Sequence, residues 1–153
     1  MIARRERLIG SSYGVMEGEE RVASIQGRFF SSALDVTGAV GNLAIEKAGW
    51  LSGEYRLVRE GSVIARAFKT GIFSRAVEIQ FDGRSVTMNG AGFLSSERTL
   101  YEGGEYRGRI ATVGFFGGGI EVEVQESVPR EIQVFALGLV ILWKREDASA
   151  SST

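Results

Sequence analysis

Tyr55 and Leu57 flank Arg56, and further on Val77, Ile79 and Phe81 alternate with Glu78 and Gln80. A period of two turns one face of an extended chain toward a core and the other toward water, so these runs predict strands rather than helices. Glu17-Gly18, Glu60-Gly61, Asp82-Gly83 and Gly103-Gly104 lie between such runs. Glycine there supplies the positive φ that two-residue hairpins require. In the middle of the chain this predicts antiparallel strands at Leu43–Lys47, Glu54–Val58, Ser62–Phe68 and Ala76–Phe81.

The four-strand unit is repeated. Gly49, Leu51, Ser52, Glu54, Leu57, Gly61 and Arg66 recur 43 residues later as Gly92, Leu94, Ser95, Glu97, Leu100, Gly104 and Arg109, with no gap. A fainter copy precedes them at the same step, with Leu8, Gly10, Val15 and Gly18 opposite Leu51, Gly53, Val58 and Gly61. A period of about 20–50 residues marks units that bury their apolar faces only against one another. Three units supply about twelve strands, and closure into an antiparallel barrel removes the exposed edges of so long a meander. The expected fold is therefore mainly β, a closed barrel of about twelve strands from three repeats.

The pattern changes at Val128-Pro129-Arg130-Glu131. Ser127 is placed to cap a helix, Pro129 suits its first turn and Glu131 complements the positive end of its dipole. The helix is expected to run through Val134–Trp143 and to stop at Lys144-Arg145, spanning 129–145. It is apolar on every side, so it must lie in a membrane or be enclosed by protein. Its uninterrupted apolar stretch is shorter than the roughly 18–20 residues of a span, which favours a helix filling the barrel. Ala65 and Ala67, and Gly108 and Ile110 in the next unit, leave room for it if Arg66 and Arg109 point outward. Residues 1–145 are thus expected to form one domain, with 146–153, rich in Ser and Ala, as a disordered tail.

The chain of 153 residues contains neither cysteine nor histidine. That excludes disulfides, Cys-His and Ser-His-Asp catalysis and an ordinary zinc site. A net charge of −1 gives no general attraction to nucleic acid. No apolar run follows the charged N-terminal residues, so no secretory signal is expected.

A twelve-stranded barrel threaded by an apolar C-terminal helix resembles the tubby C-terminal domain and its relatives, the phospholipid scramblases and the plant LURP-one-related proteins. The most specific part is Val128-Pro129…Val134-Phe135…Leu139-Val140-Ile141-Leu142-Trp143-Lys144-Arg145, similar to the ending of small bacterial proteins of this type. The resemblance implies a non-enzymatic, cytoplasmic domain at the membrane periphery that binds anionic phospholipid headgroups. No residue of the phosphoinositide site can be carried over, and Gln125-Glu126-Ser127-Val128 offers too few oxygens for a scramblase-like calcium loop.

Four cations are the candidate ligand-binding residues: Lys69 and Arg75, which flank the Phe73 loop, and Arg107 and Arg109, two apart on one strand face. No cofactor, metal or nucleic-acid partner is expected. Phe30, Phe73 and Phe116 occupy matching positions and either close the barrel rim or form membrane-dipping tips. Gly49-Trp50-Leu51-Ser52 and its copy Gly92-Phe93-Leu94-Ser95 are expected to serve packing. Gly117-Gly118-Gly119 lacks the Lys-Ser/Thr and following helix of a phosphate loop, and Glu121, Glu123 and Glu126 form the wet face of a strand rather than a catalytic pair. Two other architectures compete: a single-span membrane protein with 129–145 as the span, and a β-trefoil binding carbohydrate or protein.

Overall fold

Twelve strands, each hydrogen-bonded to its neighbours in sequence, close into one antiparallel barrel when the first pairs with the last. The structure is a computed structural model that describes residues 1–5, 12–28, 33–49, 53–70, 76–90, 97–113 and 119–151. The strands are β1 (Ile2–Arg5), β2 (Ser12–Glu17), β3 (Glu20–Gly27), β4 (Ala33–Gly38), β5 (Leu43–Lys47) and β6 (Glu54–Arg59). They continue as β7 (Ser62–Lys69), β8 (Val77–Phe81), β9 (Arg84–Gly90), β10 (Glu97–Glu102), β11 (Glu105–Val113) and β12 (Gly119–Val124), followed by helix α1 (Arg130–Ser151). Ile2, Ala3 and Arg4 close the ring against Glu121, Ile120 and Gly119. This sequential order is a twelve-stranded meander, not a trefoil.

Alternation decides what faces inward. Leu34 and Val36, Tyr55 and Leu57, Ala65 and Ala67, and Val77 and Ile79 are buried, whereas Arg56 and Arg66 between them are not. The interior is apolar throughout, with no buried polar or charged side chain among the described residues. Val134, Phe135, Ala136, Leu137 and Leu139 of α1 are all fully buried. Five such residues within six positions cover every side of a helix, so α1 runs inside the barrel. No helix among the described residues is long and apolar enough to cross a membrane, and the single-span alternative falls with the enclosure of α1.

The helix ends differ from expectation. Pro129 stands at the cap position, its carbonyl accepting from the amides of Ile132 and Gln133 at 3.0 Å each. Ser127 lies in the preceding turn, and its carbonyl accepts from Arg84 Nη2 at 3.0 Å. The Gln133 side chain reaches back to the Val128 carbonyl at 2.9 Å. At the other end the helix does not stop at Lys144-Arg145 but continues to Ser151, through the stretch expected to be a disordered tail. Ala148 and Ala150, the best helix formers, favour that continuation.

The repeat has a structural counterpart in three bulges. The β2–β3, β6–β7 and β10–β11 ladders each slip by one residue, leaving Val22, Ile64 and Arg107 as the extra residue on the second strand. Bulges bend and twist a strand, which a sheet needs in order to close. Their spacing is 42 and then 43 residues, so the first hairpin aligns one residue out of the sequence step. The turns show the same offset. Glu60-Gly61, Asp82-Gly83 and Gly103-Gly104 have positive φ at both positions, whereas the first hairpin turns at Gly18-Glu19 with only Gly18 positive.

Beside these bulges glycine decides how far a ladder zips. The β3–β4 ladder reaches Ala23↔Gly38 and the β11–β12 ladder reaches Gly108↔Val124, while the β7–β8 ladder stops at Arg66↔Gln80. The next β7–β8 pair would be Ala65 and Phe81, with no glycine, and a shallow cleft of about 430 Å³ opens there instead. A Cβ on Gly108, whose φ is +151°, would strike the Glu123 carbonyl and lie 2.6 Å from Val124 Cα. Gly108→Ala is therefore expected to unzip the end of the β11–β12 ladder and cost at least about 2 kcal/mol. Thermal unfolding should show a Tm lowered by about 4–8 °C; an unchanged Tm would refute the close approach.

Candidate functional site

The three predicted cations among the described residues do not form one group. Lys69 ends β7, whereas Arg107 and Arg109 lie four strands away on β11. Arg75 lies outside the described residues, as do Phe30, Phe73, Phe116 and the Trp50-Leu51-Ser52 and Gly92-Phe93-Leu94-Ser95 elements. Arg107 is held between Glu102 at 3.2 Å and Glu105 at 3.1 Å. Arg109 is shared by Glu123 at 3.0 Å and Glu97 at 3.2 Å. An arginine already bridging two carboxylates has little left to offer an anion, and a ligand would first have to break those pairs. Glu102 accepts from both Arg84 and Arg107, and these guanidinium hydrogen bonds, that of Arg84 foremost, hold its carboxyl down at about 2.

The acidic run on β12 behaves as a wet strand face. A hydrogen bond between Glu121 and Glu123 raises the first carboxyl and lowers the second, with Arg109 beside them. No cluster of three metal-ligating side chains occurs among the described residues.

A different set of cations converges at one end of the barrel. In a meander alternate connections share an end, so the end where α1 enters holds the turns at Gly18-Glu19, Glu60-Gly61, Asp82-Gly83 and Gly103-Gly104. The far end is where β1, β3, β5, β7, β9 and β11 finish and where α1 emerges. Trp143, Lys144 and Arg145 sit in that mouth and point to different parts of its wall. Arg98, at the start of β10, stacks on the Trp143 ring, its guanidinium carbon 4.5 Å from the centroid. Arg145 Nη2 donates to the Arg28 carbonyl just beyond β3 at 3.3 Å. Lys144 is pulled below the usual lysine range by burial and, less strongly, by the charge of Arg5 at the end of β1. Successive helix side chains step about 100° around the axis, which is why three neighbours reach β10, β1 and β3.

Charge is thus separated along the barrel axis. Over the last two described residues of every strand at each end, the described connecting residues, and residues 143–145 or 130–131 of α1, the mouth carries eight cations to four carboxylates, or six with Glu146 and Asp147 that follow on α1, and the opposite end four cations to ten carboxylates. Of the four carboxylates at the mouth, Glu46 is paired with Arg28, Glu54 with Arg56 and Arg66, and Glu97 with Arg109, while Glu78 accepts from Ser85 and Gln80; Arg28, which also holds Asp35, bridges two carboxylates and offers an anion as little as Arg107 and Arg109 do. Lys47, 5.9 Å from the Tyr55 ring centroid, and Lys69 add to the rim. Sequence reasoning named Lys69 but not the mouth, because Arg5, Lys47, Arg98 and Lys144 are far apart in the chain. Assigning each strand end to one rim of the meander would have revealed it. No family model, curated protein or solved structure matches this chain.

Proposed function

We propose that this chain is a non-enzymatic, tubby-like β-barrel at the cytoplasmic membrane periphery, docking on anionic lipid headgroups with the end from which α1 emerges. The observation that carries the reading is the axial separation of charge in a chain whose net charge is only −1. A barrel with one cationic end and one acidic end orients in the field of an anionic surface, which a uniform distribution of the same charges would not. Nucleic acid fits less well, since a duplex is tracked by a basic stripe along one face and these cations form a cap. Lys69 belongs to the cap, and Arg75 in the connection after it would add to it. Arg107 and Arg109 stand apart in carboxylate pairs and are not part of the docking end.

Flotation with phosphatidylcholine vesicles, with and without phosphatidylserine, tests this. Binding is expected only with the anionic lipid, and it should weaken as the screening length falls from about 10 Å at 0.1 M salt to about 3 Å at 1 M. Each basic residue near such a surface contributes about 1 kcal/mol. Lys47→Glu with Lys69→Glu should therefore weaken binding at least about a hundredfold, while Arg107→Ala should leave it unchanged. Ending the chain after Arg145 removes Glu146 and Asp147, which follow it on α1, and should strengthen binding severalfold. No binding at low salt, or equal binding by the charge-reversed variant, would overturn the proposal.

A further inference from the structure

The ring is split where β7 and β8 part at the acidic end. At the bulge of β3 the Val22 carbonyl accepts from the Ala39 amide at 2.9 Å, and at the bulge of β11 the Arg107 carbonyl accepts from the Gln125 amide at 2.8 Å. The corresponding bond at the bulge of β7, from the Asp82 amide to the Ile64 carbonyl, is absent among the described residues. Two local causes keep it open. Neither Ala65 nor Phe81 is a glycine, and Asp82 belongs to the two-residue turn that pairs Phe81 with Arg84, with positive φ at Asp82 and Gly83. Ala39 and Gln125 instead begin longer connections, which continue the ladder by one more residue. The Ile64 carbonyl and the Asp82 amide are thus left to the cleft of about 430 Å³ between residues 63–66 of β7 and residues 80–85.

An unpaired strand edge is a template for another chain, and proteins ordinarily blunt it with lysine or proline. This edge carries Val63, 39% exposed, and Ile64, only partly buried. Ala65 and Phe81, both buried, give the cleft an apolar floor. Its surroundings are acidic. Arg66 and Arg84 on its walls are held by Glu54 and Glu102 at 2.8 Å each, whereas the turns beside it present Glu60 and Asp82, at the end where carboxylates outnumber cations ten to four. A second copy joined edge to edge would set these carboxylates against their own counterparts, which is costly. A basic chain meets them favourably.

We infer that the split between β7 and β8 is a docking edge for an extended, basic segment of a partner protein, which continues the β7 ladder. A peptide strand laid there donates to the Ile64 carbonyl and accepts from the Asp82 amide, with its apolar side chains on Val63 and Ile64 and its cations beside Glu60 and Asp82. Backbone bonds give such a site affinity and the alternating side chains give it specificity. It lies at the end opposite the cationic mouth and does not depend on lipid docking. The probe is a short fluorescent peptide of alternating lysine and valine. Its anisotropy should rise on titration with the protein, and hydrogen exchange at the Asp82 amide should slow in the complex. Methylating the backbone amides of the peptide, or replacing its lysines with glutamate, should each weaken binding at least about tenfold. Glu60→Asn with Asp82→Asn removes both charges while tolerating the positive φ, and should weaken binding about fivefold. Ala65→Gly supplies the glycine that Gly108 provides on β11; it should close the split, seen as slowed exchange at Asp82 in the free protein, and binding should be lost with closure. Equal binding of the methylated peptide, unchanged exchange at Asp82 in the complex, or no binding at all would overturn the proposal. A dimer in sedimentation that Val63→Lys dissociates would assign the edge to a second copy and overturn it as well.

Discussion

A chain ending at Val128 is expected not to fold. Such a truncation removes Ile132, Val134, Phe135, Leu137, Leu139, Val140, Ile141 and Leu142, each at most 7% exposed. Burial of one such side chain contributes roughly 1.5–3 kcal/mol, so the loss exceeds the entire stability of about 5–15 kcal/mol typical of a domain. The damage is double, because Ile25, Leu34, Ile45, Leu57, Ile79, Met88 and Leu100, fully buried in the intact barrel, lose the surface they pack against. A twelve-stranded ring cannot collapse onto itself without breaking its own ladders. The fragment should be insoluble on expression and show no cooperative thermal transition by circular dichroism. A soluble Met1–Val128 fragment that melts cooperatively would mean that the barrel does not need its helix.

Gly138→Leu is expected to have the next largest effect. Glycine inside a helix costs about 1 kcal/mol relative to alanine, so its presence in the middle of α1 calls for a packing reason, and the structure supplies one. A Cβ at this position would strike Ile45 Cδ1 on β5 and lie 3.4 Å from Leu34 Cδ1 on β4. Both neighbours are fully buried, so a leucine has nowhere to go, and overpacking of about 3 kcal/mol or more should follow. The cause can be isolated with smaller steps. Ile45→Val removes the obstructing methyl at a cost of about 0.5–1.5 kcal/mol. Gly138→Ala should lower the Tm in the wild-type chain and raise it in the Ile45→Val background, a coupling that a double-mutant cycle measures directly. Additive effects of the two substitutions would place Gly138 away from β5.

Much of the barrel is legible because side-chain alternation and turn chemistry are local. Strand β5 matches its predicted limits, and β6, β7 and β8 differ from theirs by a single residue. The inward placement of Ala65, Ala67 and Ile110 follows from the outward arginines between them. Local reasoning fails where the deciding partner is remote. Ser127 reads as a cap, but the carbonyl that accepts the first helical amides is that of Pro129, two residues further on, while the Ser127 carbonyl accepts from Arg84, 43 residues away. Arg107 and Arg109 read as a site because they share a strand, yet the neighbouring strands bring a carboxylate to each.

By itself the sequence determined the strand periodicity, the hairpin turns, the repeat and a helix with no polar face, because each depends on residues within one turn or one hairpin. It also implied closure, since twelve strands in a meander otherwise leave two edges. Only the tertiary structure decided which strand ends share a rim. Closing β1 on β12 around α1 makes neighbours of Arg5, Arg28, Arg98 and the end of the helix. Charge summed over a rim is a property of the closed ring, and no window along the chain contains it.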